Sequence, residues 1–221
     1  MARTFGSLAF TPAVKDLQQQ HGSRQQYERM VTQGPERSRL TVSETTFLEQ
    51  RDSFYWATIG SNGWPYIQHR GGPKGFLRVI DNHTLVFADF AGNKQYITTG
   101  NLLTDDRVAL IFVDYPMQAR LKVLGHARAL EGDEARKWLD DLDVKDYPAQ
   151  IERIFVIDIE AYDWNCPQHI TPRYTKEEIE NTLRPIYAHI EKLEQENAEL
   201  RKQLAGLRAQ RGNVEEYEPS A

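Results

Sequence analysis

The chain has a single cysteine, Cys166, so no internal disulfide is possible and no Cys/His set at zinc-finger spacing exists. A cytoplasmic, reducing location is therefore expected. Nowhere do about 18 apolar residues run together, so no membrane-spanning helix is expected. The opening stretch MARTFGSLAFTPAVKDLQQQ lacks the continuous apolar centre of an export signal. Positive charge is also short. A net charge of −5 and a pI near 5.7 give no general field for nucleic acid, so any basic cluster has a local purpose. There is no G-x-x-x-x-G-K-[ST] loop, no G-x-G-x-x-G after a strand and no G-x-S-x-G elbow, which excludes three common phosphate and acyl-transfer devices. Cys166 and His169 form a lone C-x-x-H without a second cysteine, neither a covalent haem site nor a recognisable zinc half-site. Cys166 reads as a buried, unreactive thiol.

What is present suffices for a core: 40% hydrophobic and 10% aromatic residues, with a mean hydropathy of −0.63 that leaves the remainder well solvated. Phe10, Val14 and Leu17 recur at helical spacing. Ser43 before ETTFLEQ predicts a second helix with Ser43 as N-cap. The β-branched and aromatic SFYWATI, the Asn-Gly turn in SNGW and the extended WPYIQ predict a hairpin over 53–69. FLRVI, TLVFADF, RVALIFV, RLKVLGHARAL and RIFVIDI continue the strand pattern. About seven strands with short connections predict a closed or nearly closed antiparallel barrel. Helical insertions are expected at 93–103 and 132–142. The division that follows is an N-terminal helical segment over 1–52, a barrel over 53–174 and a C-terminal heptad helix with a tail over 175–221.

In that last part Ile186, Ile190, Leu193, Asn197, Leu200, Leu204 and Leu207 alternate spacings of four and three, a heptad seam. With Ile190, Asn197 and Leu204 at a, the d positions are Leu193, Leu200 and Leu207, Glu196 falls at g and Arg201 at the next e. Asn at one a position and a g-to-e′ Glu–Arg pair suit a parallel two-stranded coiled coil. A lone amphipathic helix packed on the barrel fits the same periodicity.

Polar groups gather at the edges of predicted strands in QHRGGPKG (68–75), GNKQ (92–95) and RLK (120–122), the first two of them with glycines. Glycine lets backbone N–H groups approach an anion, arginine grips phosphate oxygens in pairs, and lysine adds a point charge. Asn93 and Lys94 are expected to open a helix, whose free N–H groups favour an anion. A phosphomonoester site and a set of solvated turn residues are both compatible with this composition. Trp56, Trp64, Tyr55 and Tyr66 around the hairpin read as core or dimer interface.

The ordered blocks FTPAVKDLQQQHGSR, DSFYWATIGSNGWPYIQHRGGPKGFLRV, LVFADFAGNKQYITTGNL, DRVALIFVDYP, RLKVLGHARAL and NCPQHITPRY resemble the pyridoxamine 5′-phosphate oxidase-related FMN-binding proteins, from about Phe10 to Tyr174. The resemblance implies a mainly β (α+β) fold, an antiparallel split β-barrel with peripheral helices, here followed by a C-terminal coiled-coil helix. It implies a homodimer with two FMN molecules in clefts between the subunits. Arg70, Asn93 and Lys94 would meet the FMN phosphate, with Gln95 in place of a lysine. Arg120 would stand near the pyrimidine edge, where a cation stabilises reduced, anionic flavin. The backbone of Ile67 to His69 would run beside the ring, with Gln68 or His69 directed at it. From the partner chain Trp164, Gln168 and His169 would cover the cofactor.

The oxidases that act on vitamin B6 carry an Arg-x-His pair near the carboxyl terminus, which WNCPQHITPRY lacks; Arg173 is a displaced candidate for its arginine. The resemblance thus implies an FMN-dependent oxidoreductase acting on a small molecule other than pyridoxamine phosphate. His69 and His169 are its candidate catalytic groups and Trp64 a pocket wall. The alternative is a flavin- or haem-binding protein without turnover, with His169 as a possible axial ligand. Neither reading involves nucleic acid or a membrane, and no metal site apart from that haem alternative is expected.

Overall fold

A computed structural model describes residues 4–215 apart from 140, 143, 145 and 146, with side chains described as far as 208. The helices α1 (Phe5–Ala9), α2 (Pro12–Gln20), α3 (Arg24–Gln33) and α4 (Val42–Glu49) precede the sheet. Thr11 caps α2, and Pro12 stands in its first turn, where a missing N–H costs nothing. The cap of α4 is Thr41, two residues before the expected Ser43. Glu44 explains the difference. Its carboxylate accepts from Thr41 N at 3.0 Å and from Thr41 Oγ1 at 2.5 Å, completing a capping box that Ser43 could not form.

Seven strands follow: β1 (Ser53–Ile59), β2 (Pro65–Gly71), β3 (Leu77–Val79), β4 (Thr84–Phe90), β5 (Arg107–Asp114), β6 (Ala119–Leu130) and β7 (Ile151–Asn165). The helix α5 (Ile97–Leu102) joins β4 to β5, and α6 (Gly132–Leu139) lies between β6 and β7. All pairings are antiparallel in one sheet of order β2-β1-β5-β6-β7-β4-β3. The sheet is not closed: β2 and β3 are its edges. It nonetheless curls on itself, because Phe54 and Trp56 of β1 meet Phe87 of β4 at ring-centroid distances of 5.1 and 5.4 Å, and Trp56 meets Phe155 of β7 at 4.9 Å.

Alternation produces that core. Along β1, Phe54, Trp56 and Thr58 are buried while the residues between them are more exposed. Phe76, Phe87, Phe112 and Phe155 are fully buried around them. Two of the three glycines of RGGPKG have packing and turn explanations: Gly72 lies where a Cβ would come within 2.8 Å of both Phe76 and Phe90, and Gly75 adopts φ 92°. Lys74 in that turn is exposed.

The expected helix at 93–103 starts four residues late. Asn93 Oδ1 accepts from Gln95 N at 3.1 Å, an Asx turn that competes with helix formation. Lys94 (φ 60°) and Tyr96 (φ 52°) then take left-handed backbone before α5 begins. Asn93 and Lys94 therefore stand in a loop and open no helix. Cys166, expected to be buried, is exposed immediately after β7.

The chain divides into two compact units, Met1–Pro172 and Arg173–Ala221. The second contains α7 (Lys176–Glu215), started by Thr175, whose hydroxyl accepts from Glu178 N at 3.2 Å. Ile186, Ile190, Leu193, Leu200, Leu204 and Leu207 are all exposed on it. Among the described residues no helix is long and apolar enough to cross a membrane.

Candidate functional site

A cleft of about 200 Å³ is bounded by β2, the loop 92–96, the start of α5 and β7. Alternation along β2 turns Tyr66, Gln68 and Arg70 into it, and leaves Ile67 and His69 exposed on the other face. Across the cleft stand Asn93, Lys94, Gln95 and Tyr96. Thr98 Oγ1 donates to Gln68 Oε1 at 2.9 Å, which fixes the amide and ties α5 to β2.

The floor carries charge. Asp89 of β4 and Arg153 of β7 are register partners, with side chains 5% and 6% exposed. Between Asp89 and Phe90 the ladder shifts, so that Glu152 and Arg153, neighbours in sequence, both line the cleft. Asp89 accepts from Arg70 and from Arg153 Nη1 at 3.3 Å. Arg153 also donates to Thr99 Oγ1 at 2.9 Å and pairs with Glu152 at 2.8 Å. Glu152 in turn accepts from the Tyr96 hydroxyl at 2.7 Å. Burial pushes the Asp89 carboxyl up and the Arg70 guanidinium down, and the charge of each opposes the other's shift. The Tyr96 phenol is raised, first by its bond to Glu152.

Two groups remain uncommitted. Arg70 Nε is buried with no hydrogen-bond partner among the described residues. Lys94 is exposed and has no ion pair among them. Arg70, Lys94 and Arg153 thus line the cleft against Asp89 and Glu152, and Glu131, outside the lining, takes Arg153 Nε at 3.2 Å, which leaves Lys94 as the cation without a counter-charge among the described residues. An anion is the ligand this imbalance favours. The left-handed backbone of Lys94 and Tyr96 costs about 1–2 kcal/mol per residue, a strain typical of ligand-holding loops.

The remaining expected residues do not line this cleft. His69 stands opposite Tyr55 across the hairpin, ring to ring at 5.3 Å. Arg120 lies at the start of β6, opposite Asn165, and its Nε is likewise buried without a partner among the described residues. Trp164 packs edge-on against Phe47 at 4.7 Å and donates to Glu44 Oε1 at 2.7 Å. Glu44 is held below the usual carboxylate range: burial opposes this, but the bonds from Thr41 and Trp164 prevail. Gln168 and His169 are exposed beyond β7, and Gln118 Nε2, donating to Ile170 O at 2.6 Å, ties that segment to the start of β6. Arg173 is exposed at the start of the second unit. Among the described residues no group of three His, Cys, Asp or Glu side chains could hold a metal ion.

Asp89, Glu152, Arg153 and Tyr96 were not anticipated. The available signal was Asp89 itself, a lone acid in the apolar run TLVFADF. A buried carboxylate requires a cation or donors beside it.

Residues 43–165 match the profile of the pyridoxamine 5′-phosphate oxidase family, more than half of the chain. The chain belongs to that family. Solved structures similar to it include HupZ from Group A Streptococcus, with 17% identity over 61% of this chain and 100% of that one and a TM-score of 0.45. An FMN-binding protein from Syntrophomonas wolfei matches at 16% identity over 70% and 97%, with a TM-score of 0.42. A protein from Clostridium acetobutylicum related to general stress protein 26, of the pyridoxinephosphate oxidase family, matches at 17% identity over 62% and 95%, with a TM-score of 0.42. A comparison with curated proteins gave no match.

Proposed function

We propose that the chain is an FMN-dependent oxidoreductase and that the cleft between β2 and the loop 92–96 holds the FMN phosphate. The observation that carries this reading is the convergence of Arg70, Asn93, Lys94 and Gln95, from two separate segments, on one cleft with a guanidinium nitrogen and a lysine that have no partner among the described residues. These residues suit a phosphate monoester. Lys94 and Arg70 supply charge, and the amides of Asn93 and Gln95 supply neutral donors. Asp89 acts as a positioning residue, holding one end of Arg70 so that its edge stays fixed. When bound, FMN supplies two-electron chemistry; the protein's task is to grip and orient it.

The cleft's size supports a second subunit. About 200 Å³ lies below the roughly 300–1,000 Å³ of sites that enclose a drug-sized ligand, so a flavin ring must extend beyond the cleft. A homodimer in which a partner's Trp164, Gln168 and His169 cover the ring meets that need. Substrates other than pyridoxamine phosphate fit best, since the Arg-x-His pair is absent from WNCPQHITPRY.

The test is to purify the untagged protein, record its visible spectrum and identify by chromatography what heat releases. Stoichiometric FMN, lost in the Arg70→Ala/Lys94→Ala double variant, is expected. A colourless protein that takes up no added FMN, or a Soret band from haem, overturns the proposal.

A further inference from the structure

The helix α7 begins at Lys176, which carries the heptad seam further toward the amino end than Ile186. Ile179 falls at d and Leu183 at a, so the seam runs from Ile179 to Leu207 with apolar residues at every a and d position except Asn197. Pro185, the one interruption of the helical hydrogen-bond ladder, falls at c, away from the seam. Ile179, Ile186, Ile190, Leu193, Leu200, Leu204 and Leu207 are 44–63% exposed. A stripe this long is not left in water by an isolated helix.

We infer that α7 pairs with α7 of a second copy of this chain as a parallel, in-register, two-stranded coiled coil. Two observations choose that occupant and that direction. First, Asn197 makes no side-chain hydrogen bond among the described residues, and a parallel register sets it against its own counterpart, amide to amide. An antiparallel pair would place it against a leucine at d and bury it unsatisfied. Second, the flanking charges suit self-pairing. In the parallel register g meets the following e′ as Thr182 with Tyr187, His189 with Glu194, Glu196 with Arg201 and Gln203 with Arg208, and no pair repels. Arg201 has no ion pair in its own chain among the described residues, while Glu196 uses Oε1 on Lys192 at 3.7 Å. The pairing does not depend on the flavin reading, and either can fail alone.

Crosslinking of the full-length protein tests it. In a Cys166→Ser background, Leu200→Cys places one thiol at d, and Lys202→Cys places one on the outer f position. Oxidised glutathione accepts the two electrons as two thiolates join. The d-position variant should form a covalent dimer at least roughly ten times faster than the f-position variant, because only facing thiols share a high effective concentration. Equal rates, or no dimer from either, overturn the inference and leave α7 to another partner or to its own chain.

A second test needs no introduced thiol. Asn197→Leu should raise the oligomer above two strands in sedimentation, since nothing then specifies the dimer. In the Leu200→Cys background, Arg201→Glu should slow the crosslink between helices and Glu196→Arg/Arg201→Glu should restore it; an Arg201→Glu variant that crosslinks as fast as its parent contradicts the pairing.

Discussion

The two units stabilise themselves in opposite ways. In the first, a sheet ordered β2-β1-β5-β6-β7-β4-β3 brings together residues a hundred positions apart, and its aromatic core is shut from water. In the second, one 40-residue helix satisfies its backbone locally and leaves its apolar stripe exposed. The sheet unit buries its apolar surface within one chain, whereas α7 needs a second surface to do so. Charge follows the same division. In the sheet unit Asp89 and Arg153 are buried and committed to named partners; on α7 the charges are exposed and are suited to pairing across an interface.

The contrast is open to test because all four tryptophans lie in the first unit, so their fluorescence follows its unfolding alone. Phe87→Ala removes a fully buried ring in contact with Phe54, Trp56 and Phe155, and should cost about 3–5 kcal/mol in urea unfolding. Next in size is Asp89→Asn. It leaves Arg70 and Arg153 without their shared counter-charge and should cost about 3 kcal/mol by the same measurement; no loss would mean that the buried network adds nothing to the sheet unit.

Glu44→Gln should cost about 1 kcal/mol at neutral pH, from a weakened capping box and a weaker bond to Trp164. Its pH dependence has a definite sign. The native carboxyl is depressed, so its contribution is present above the unfolded carboxylate value near 4.3 and is lost as pH falls through the lower native value. The gap between wild type and variant should therefore close on acidification. A gap that widens would contradict the assigned bonds. Smallest of all, Leu200→Asp should leave the fluorescence transition unmoved while abolishing helix association. A shift of that transition would show that the two units are energetically coupled.

Strands, the hairpin and the heptads were legible because each rests on a local period. The α4 cap was missed by two residues because Ser43 stands directly before the acid, whereas the local pattern Thr41-x-x-Glu44 is the one that closes a capping box. The stretch 93–96 read as helix because an Asx turn and two left-handed residues leave no apolar signature. Arg70 and Lys94 could be singled out by charge and glycine context. Glu152 could not, since its place beside Arg153 in the cleft depends on a bulge between β4 and β7 that no spacing reveals.

The proposed grip of this cleft on a phosphate is open to a direct test. Riboflavin has the ring and ribityl chain of FMN without that group, so comparing the two affinities by fluorescence titration isolates the grip. The wild-type protein should bind FMN at least about a hundredfold more tightly than riboflavin, in keeping with charge-assisted bonds of roughly 1.5–3 kcal/mol each. In Arg70→Ala/Lys94→Ala that preference should all but vanish. Equal affinities in the wild type, or a preference untouched by the double variant, would contradict the assignment.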